Sequence, residues 1–307
     1  MHDVTIIGGG AAGLTASIYA KRAGMDVIVL EKMGVGGQII LTDTVENYPG
    51  FDFISGPDLM EKFEKHAQKF GVEIDYEEVR EIRFGHKSHT VVTDENEYDS
   101  IAIIVASGSQ PKKLRVPGED KFIGRGVSYC AVCDGPFFKD KEVAVIGGGD
   151  AAIKESMYLS QIVKKVTIIH RRDELRAEKI LQDQAFANPK IEFIWDHVVE
   201  EIIGEDSFQG IVIHNVKNPE EKRFLEKSGV FVYIGHIPNT GFIDVEKTST
   251  GLIKTVACFL ETSVQGIYAA GDCRDTCLRQ IATCVGDGAL AAFNAGEYVG
   301  KVKSGHI

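Results

Sequence analysis

The chain has 307 residues, enough for two domains that each bury a core, and it carries a formal net charge of −11 with a pI near 5.4. So acidic a surface is unsuited to displacing the counterions of nucleic acid or anionic lipid, which excludes general binding to either. Six cysteines are too few for a disulfide scaffold at this length, no apolar run reaches a membrane span, and a glycine-rich turn by residue 8 leaves no room for a signal peptide, so a cytoplasmic protein is expected.

The first element is the apolar run Val4-Thr5-Ile6-Ile7, which predicts a strand. It leads into Gly8-Gly9-Gly10-Ala11-Ala12-Gly13 and then a helical pattern. Gly8, Gly10 and Gly13, with Ala11 and Ala12 between them, thus form a GxGxxG dinucleotide fingerprint in the strand–turn–helix setting the motif requires. The next strand ends at Glu31. At that spacing a carboxylate accepts hydrogen bonds from an adenosine ribose and repels a 2′-phosphate.

Next comes Cys130-Ala131-Val132-Cys133-Asp134. A CxxC pair suits thiol–disulfide exchange, because one cysteine attacks a partner disulfide and the other resolves the mixed disulfide. Zinc knuckles share the spacing but need two further ligands, and no second CxxC occurs. Asp134 is placed to move the proton that exchange requires, or else to cap the helix carrying the cysteines.

A second fingerprint follows. Val143-Ala144-Val145-Ile146 runs into Gly147-Gly148-Gly149-Asp150-Ala151-Ala152, the GxGxxA variant, in which Gly147, Gly149, Asp150, Ala151 and Ala152 take the cofactor-binding positions. Its next strand ends at His170, at the spacing of Glu31 in the first copy, with Arg171 and Arg172 beyond it. Guanidinium groups pair with a 2′-phosphate dianion, and Arg176 joins them if this segment begins a helix. Two copies make an internal repeat. They predict a dinucleotide without a 2′-phosphate at the first site and NADPH at the second.

With these residues in view, the chain resembles the low-molecular-weight thioredoxin reductases over essentially its full length. The resemblance rests on both glycine fingerprints, Gly36-Gly37-Gln38, Val45 to Gly50, Ala106-Ser107-Gly108, Cys130 to Gly135, His170 to Arg172 with Arg176-Ala177, Ile234 to Thr240, Gly271-Asp272 and Arg279-Gln280. It implies an α/β fold of two Rossmann-like three-layer domains, with an NADPH domain (112–241) inserted into a discontinuous FAD domain (1–111 and 242–307). Hinges are expected near Lys112–Gly118 and Asn239–Phe242, where prolines and Gly241 mark the crossings.

The family pattern also implies electrons passing from NADPH through FAD and the cysteine pair to thioredoxin, in a homodimer. Carried over by position, Glu31 meets the adenosine ribose, Gln38 and Asn47 the ribityl and isoalloxazine end, and Asp272 the ribityl and pyrophosphate region. Gly37, Gly108, Gly271 and Ile281 complete that set. Arg279 and Gln280 open a helix whose positive end faces the flavin's pyrimidine edge. Arg125 and the pair Phe137-Phe138 match positions that touch thioredoxin, burial deciding which phenylalanine serves.

Departures from the family pattern are Lys154, where relatives commonly carry an acid, and Cys273, Cys277 and Cys284, which are expected to be small buried side chains. The spacing leaves open which of Cys130 and Cys133 faces the flavin. Other readings of the same residues are a small-molecule dithiol oxidase, a ferredoxin-, deazaflavin- or NADH-driven reductase of the same fold, and a flavin redox sensor without turnover. The arginine cluster disfavours the oxidase and the reductases driven by other donors.

Overall fold

In the computed structural model, which describes residues 1–42 and 44–306, the opening apolar run forms strand β1 (His2–Ile7), buried from its second residue onward. Such a strand, covered on both faces, reads as a continuous hydrophobic run rather than an alternating one. It is followed by α1 (Ala11–Arg22), β2 (Val27–Leu30), α2 (Gly56–Lys69), β3 (Glu73–Asp75), the strands β4 (Val79–Arg83) and β5 (His89–Thr93), and β6 (Glu97–Val105). Helix α2 starts where local chemistry dictates: the Ser55 hydroxyl accepts the Asp58 amide at 3.1 Å, with proline in the first turn.

The chain then passes through β7 (Ser109–Pro111), α3 (Glu119–Phe122), β8 (Val127–Ser128), α4 (Ala131–Asp134), β9 (Glu142–Ile146), α5 (Asp150–Ile162), β10 (Lys165–Ile169), α6 (Lys179–Ala187) and β11 (Ile191–Ile194). The antiparallel strands β12 (His197–Gly204), β13 (Phe208–Asn215) and β14 (Asn218–Glu226) precede β15 (Gly229–Val232) and β16 (His236–Pro238). The last elements are β17 (Ile267–Ala269) and the long α7 (Ile281–Lys303). Two compact units result, Met1–Gln110 with Ile237–Ile307, and Pro111–His236.

The first unit is built on the sheet β3-β2-β1-β6-β5-β4. Strands β1, β2, β3 and β6 are parallel, and β4 and β5 are antiparallel additions. β6 pairs with β5 over its first residues and with β17 over Ile103–Val105, so the edge hairpin gives way to a parallel partner near the C-terminal end. Helices α1 and α7 share the core on one face with Val4, Ile6, Val27 and Val29. Gly288 permits their close approach, since a Cβ there would run into the Ala12 carbonyl.

The second unit repeats the plan. Its sheet β11-β10-β9-β15-β8 is parallel throughout. Val143, Val145, Val166 and Ile168 share one core with Ala152, Ile153 and Leu159 of α5. Ala144, Ile146 and Val230 share the other with Ile202, Ile211 and Ile213 of the β12–β14 sheet. In both sheets the strand that carries a glycine loop lies where the order reverses, β1 between β2 and β6 and β9 between β10 and β15. The crevice at the carboxyl ends of such strands is where open α/β sheets hold ligands.

Candidate active site

The first glycine loop follows from its neighbours. The Gly8 amide donates to the Leu30 carbonyl at 2.8 Å. Gly8 itself, at φ +109°, lies so near the Ala106 carbonyl at the end of β6 that any Cβ would collide with it. Gly13 is constrained likewise by the Gly8 carbonyl. Gly10 precedes α1 with no side-chain cap and with open space where a Cβ would stand, so the first-turn amides of Ala11, Ala12 and Gly13 are left for an anion. Glu31 sits over the loop: one carboxylate oxygen accepts the Gly9 amide at 2.6 Å and the other the Met33 amide at 3.1 Å. The Gly36 amide donates to the Gly9 carbonyl at 2.9 Å, which lays Gly37 and Gln38 beside the loop, with Gly37 near Gly10.

The second loop repeats the backbone pattern. The Gly147 amide donates to the Ile169 carbonyl at 3.2 Å, and Gly147, at φ +154°, abuts the Tyr233 carbonyl at the end of β15. Gly149 precedes α5 uncapped, as Gly10 precedes α1. His170 takes the place of Glu31, its ring against Gly148, and the Arg176 amide donates to the Gly148 carbonyl at 2.7 Å where Gly36 bonds to Gly9 in the first copy. Arg176 arrives on an irregular loop, because α6 begins only at Lys179; the helix the sequence suggested is absent from 171–178.

His170 is buried. Burial first, then the charges of Arg176, Arg172 and Arg171, press its imidazole below the usual histidine range, so the ring is neutral near pH 7 and the exposed guanidinium groups carry the positive charge. Its Nε2 is buried without a hydrogen-bond partner. Asp150 accepts the Glu178 amide at 2.8 Å and tethers the start of α6 to this loop. Lys154 is exposed on α5.

Cys130 and Cys133 form a disulfide with their Cα atoms 5.3 Å apart. The turn is held from several sides. Cys130 is the N-cap of α4, with its Sγ accepting the Cys133 amide at 3.2 Å; its own amide donates to the Ser128 hydroxyl at 3.1 Å, and the Ala131 amide donates to the Tyr233 hydroxyl at 2.5 Å. Asp134 ends the helix: its amide donates to the Cys130 carbonyl at 3.0 Å, and its side chain makes no cap bond to the 3-10 turn that follows. The capping role is therefore taken by Cys130 and not by Asp134. Tyr129 donates to the buried Glu119 carboxylate at 2.7 Å, which also accepts the Leu114 and Arg115 amides.

In the first unit, the start of α7 gathers the remaining site residues. Gln280 caps the helix reciprocally with Thr283, and its Oε1 accepts the Asn47 side-chain amide at 3.0 Å, which joins two expected flavin-contact residues. Gly271, at φ +74°, lies against Ala12 and Cys284, and its amide donates to Asp287 at 3.0 Å. Burial lifts the Asp272 carboxyl, which accepts the Cys284 thiol at 3.5 Å. The Arg279 Nε is buried without a partner. Gly108, at φ +68°, accepts the Asn239 amide at 3.0 Å, and Ser107 is bonded to Asn239 in both directions. Ile281 is the first residue of α7.

Three cysteine expectations resolve differently. Cys273 is buried and its thiol is pushed up to about 11, and Cys284 is half-buried and raised further, so both are inert at neutral pH. Cys277 is exposed and precedes α7, so it shares no helix with Cys284 and is not the small core residue expected of it. Phe138 requires a correction too: it packs edge-on against Phe231 at 5.3 Å and over Gly229, in the core, leaving Phe137, 45 % exposed, as the available aromatic. Arg125 is exposed, with one guanidinium nitrogen donating to the Lys121 carbonyl at 2.8 Å.

The family model described as pyridine nucleotide-disulphide oxidoreductase matches residues 2–288. A thioredoxin reductase of Bacillus subtilis is 46% identical over 99% of this chain and 96% of its own length, and one of Treponema pallidum is 45% identical over 99% of both. A crystal structure of thioredoxin reductase from Streptococcus pyogenes superposes with a TM-score of 0.93 at 46% identity, covering 98% of this chain and 99% of that one. With its two-copy glycine-loop architecture and a CxxC disulfide, the chain belongs to the pyridine nucleotide-disulphide oxidoreductases, within their thioredoxin reductase family.

Proposed function

We propose that the protein reduces the disulfide of thioredoxin with electrons from NADPH, through FAD and the Cys130–Cys133 pair. The observation that carries this reading is that α5, which starts at the second glycine loop, also supports the redox turn: a Cβ on Gly135 would lie 3.1 Å from Leu159 and 3.6 Å from Tyr158. The residues fit the groups the family implies. The first loop offers uncapped amides and Glu31, the start of α7 offers the orphaned Arg279 Nε, and the second loop offers its own amides with Arg171, Arg172 and Arg176 around a neutral His170. A bound flavin would supply the link between the two-electron chemistry of nicotinamide and that of a disulfide.

The chain's own part is thiol–disulfide exchange. A thiolate of the reduced pair attacks one sulfur of the partner disulfide, forming a mixed disulfide and expelling a partner thiolate. The second cysteine then attacks its neighbour, closes Cys130–Cys133 and releases the other partner thiolate. Two partner thiols are gained as the pair is oxidised. Asp134, at the end of the same helix turn, delivers the proton to the departing sulfur. The protein acts as a cytoplasmic homodimer in this reading, with thioredoxin docking over Arg125 and Phe137. No helix among the described residues is long and apolar enough to cross a membrane. The direct test is steady-state NADPH consumption with and without oxidised thioredoxin; turnover that ignores thioredoxin would overturn it.

Nucleotide preference follows from the exposed arginines. Replacing Arg171 and Arg172 with alanine removes charge-assisted hydrogen bonds of about 1.5–3 kcal/mol each. The KM for NADPH is expected to rise by at least about tenfold, with NADH kinetics unchanged. Equal use of the two nucleotides by the unaltered protein would contradict the assignment. For docking, Arg125→Ala and Phe137→Ala should each raise the KM for thioredoxin roughly five- to tenfold, as loss of an interface anchor does. Reduction of a small acceptor that needs no thiols should be unaffected, and unchanged thioredoxin kinetics would place the docking surface elsewhere.

A further inference from the structure

Tyr233 follows β15 directly and reaches two functional elements of its unit. Its amide donates to the Ile146 carbonyl at 2.8 Å, and its carbonyl oxygen would lie 2.5 Å from a Cβ on Gly147, so its backbone braces the second glycine loop. Its hydroxyl accepts the Ala131 amide, the first of the four-residue helix that carries the cysteines. Its half-buried ring packs against the core cluster that holds Ala131 and Ala152. Glu155 lies one turn before Leu159 on α5, on the helix face that supports Gly135.

Glu155 and Asp134 both act electrostatically on the Tyr233 phenol, which burial above all holds far above the ordinary phenol range. Glu155 is itself lifted by burial. A phenol that accepts one hydrogen bond still has a proton to donate, and a carboxylate receiving it makes the oxygen a better acceptor.

We propose that Tyr233 is a positioning residue for the redox pair: by accepting the Ala131 amide, its hydroxyl fixes the helical turn in which the Cys133 amide points at the Cys130 sulfur. The proposal rests on the reading of Cys130–Cys133 as the redox centre and adds a residue to it. In the reduced protein an amide of a first helical turn aimed at sulfur favours the thiolate. The sulfur faces the Cys133 amide, and the turn that holds it is met by the Ser128 hydroxyl at the Cys130 amide, by the Tyr233 hydroxyl at the Ala131 amide and by Tyr158 of α5 beside Gly135, with the charges of Glu155 and Asp134 acting on the Tyr233 phenol. Removing the phenol oxygen leaves the Ala131 amide without its acceptor and loosens the turn, and the Cys130 thiolate loses its oriented donor.

The test needs no turnover. The unaltered holoprotein and its Tyr233→Phe and Glu155→Gln variants are reduced with dithiothreitol, freed of it under nitrogen, and treated with iodoacetamide across roughly pH 5 to 10, the range of thiol titration. Peptide mass spectrometry follows Cys130 and Cys133 separately. In Tyr233→Phe the midpoint for Cys130 should rise by about one pH unit, seen as about tenfold slower alkylation on the acid side of both midpoints. Glu155→Gln, which keeps the phenol and its bond to the Ala131 amide, should leave that midpoint unraised, since losing a negative charge does not disfavour a thiolate. A midpoint unchanged or lowered in a Tyr233→Phe protein with native circular dichroism overturns the proposal. If that variant fails to fold, rapid hydrogen exchange at the Ala131 amide of the unaltered protein, showing no bond to the phenol, does so instead. Thioredoxin turnover by the unaltered protein, assayed separately, distinguishes failure of this role from failure of the reductase reading.

Discussion

Cys130→Ser and Cys133→Ser should each lose thioredoxin reduction to background while still oxidising NADPH with a small acceptor that needs no thiols. The pair is one chemical unit: its sulfurs are joined, and either serine leaves a single thiol that can begin exchange but not resolve it. The NADPH-binding residues proposed above sit in the second glycine loop and the 170–176 segment, away from the sulfurs in sequence, so reaction with a small acceptor survives the change. Of the other cysteines, Cys273 and Cys284 supply no replacement, since burial holds them as thiols. Substantial thioredoxin turnover by either single variant, measured by NADPH absorbance against a thiol-reagent endpoint, would show that the electrons take another route.

The next largest effect is expected at Asp134→Asn. General acid catalysis contributes about 10²- to 10⁴-fold, and thioredoxin turnover should fall within that span. The carboxamide preserves shape, and the N-cap of the helix is the Cys130 sulfur, not the Asp134 carboxyl. Cofactor content and melting temperature should therefore stay near those of the unaltered protein while kcat drops. A loss of less than about fivefold in kcat would remove Asp134 from proton transfer, because a general acid contributes far more than that.

Much of this arrangement was legible in the sequence, for a definite reason. A glycine at φ +109° or +154°, pressed against a carbonyl, leaves so little chemical choice that Gly8 and Gly147 announce the loops they build. The residue ending the next strand is fixed by the same geometry, which is why Glu31 and His170 occupy matching places. What periodicity does not encode is long-range packing. Tyr233 lies 102 residues from the amide it receives, in an apolar stretch that reads as strand and core. Phe138 and Phe137 are adjacent and chemically identical, and only the fold turns one onto Phe231 and the other to solvent. Arg176 reaches its site on an irregular loop, because its bond to Gly148 and the burial of Leu175 and Ala177 override the helix-forming composition of 171–178.

The account is tested most directly by following the electrons to the sulfurs. The purified yellow protein is incubated anaerobically with NADPH, in parallel with NADH and with no nucleotide, then alkylated and mapped by peptide mass. Cys258 and Cys277 are exposed and should take label under every condition, an internal control for the reagent. Label on Cys130 and Cys133 should appear with NADPH alone, and should disappear from both and move to thioredoxin's cysteines when excess oxidised thioredoxin is added before the alkylating agent. A pair that remains unlabelled with NADPH, or that keeps its label in the presence of oxidised thioredoxin, would contradict the relay.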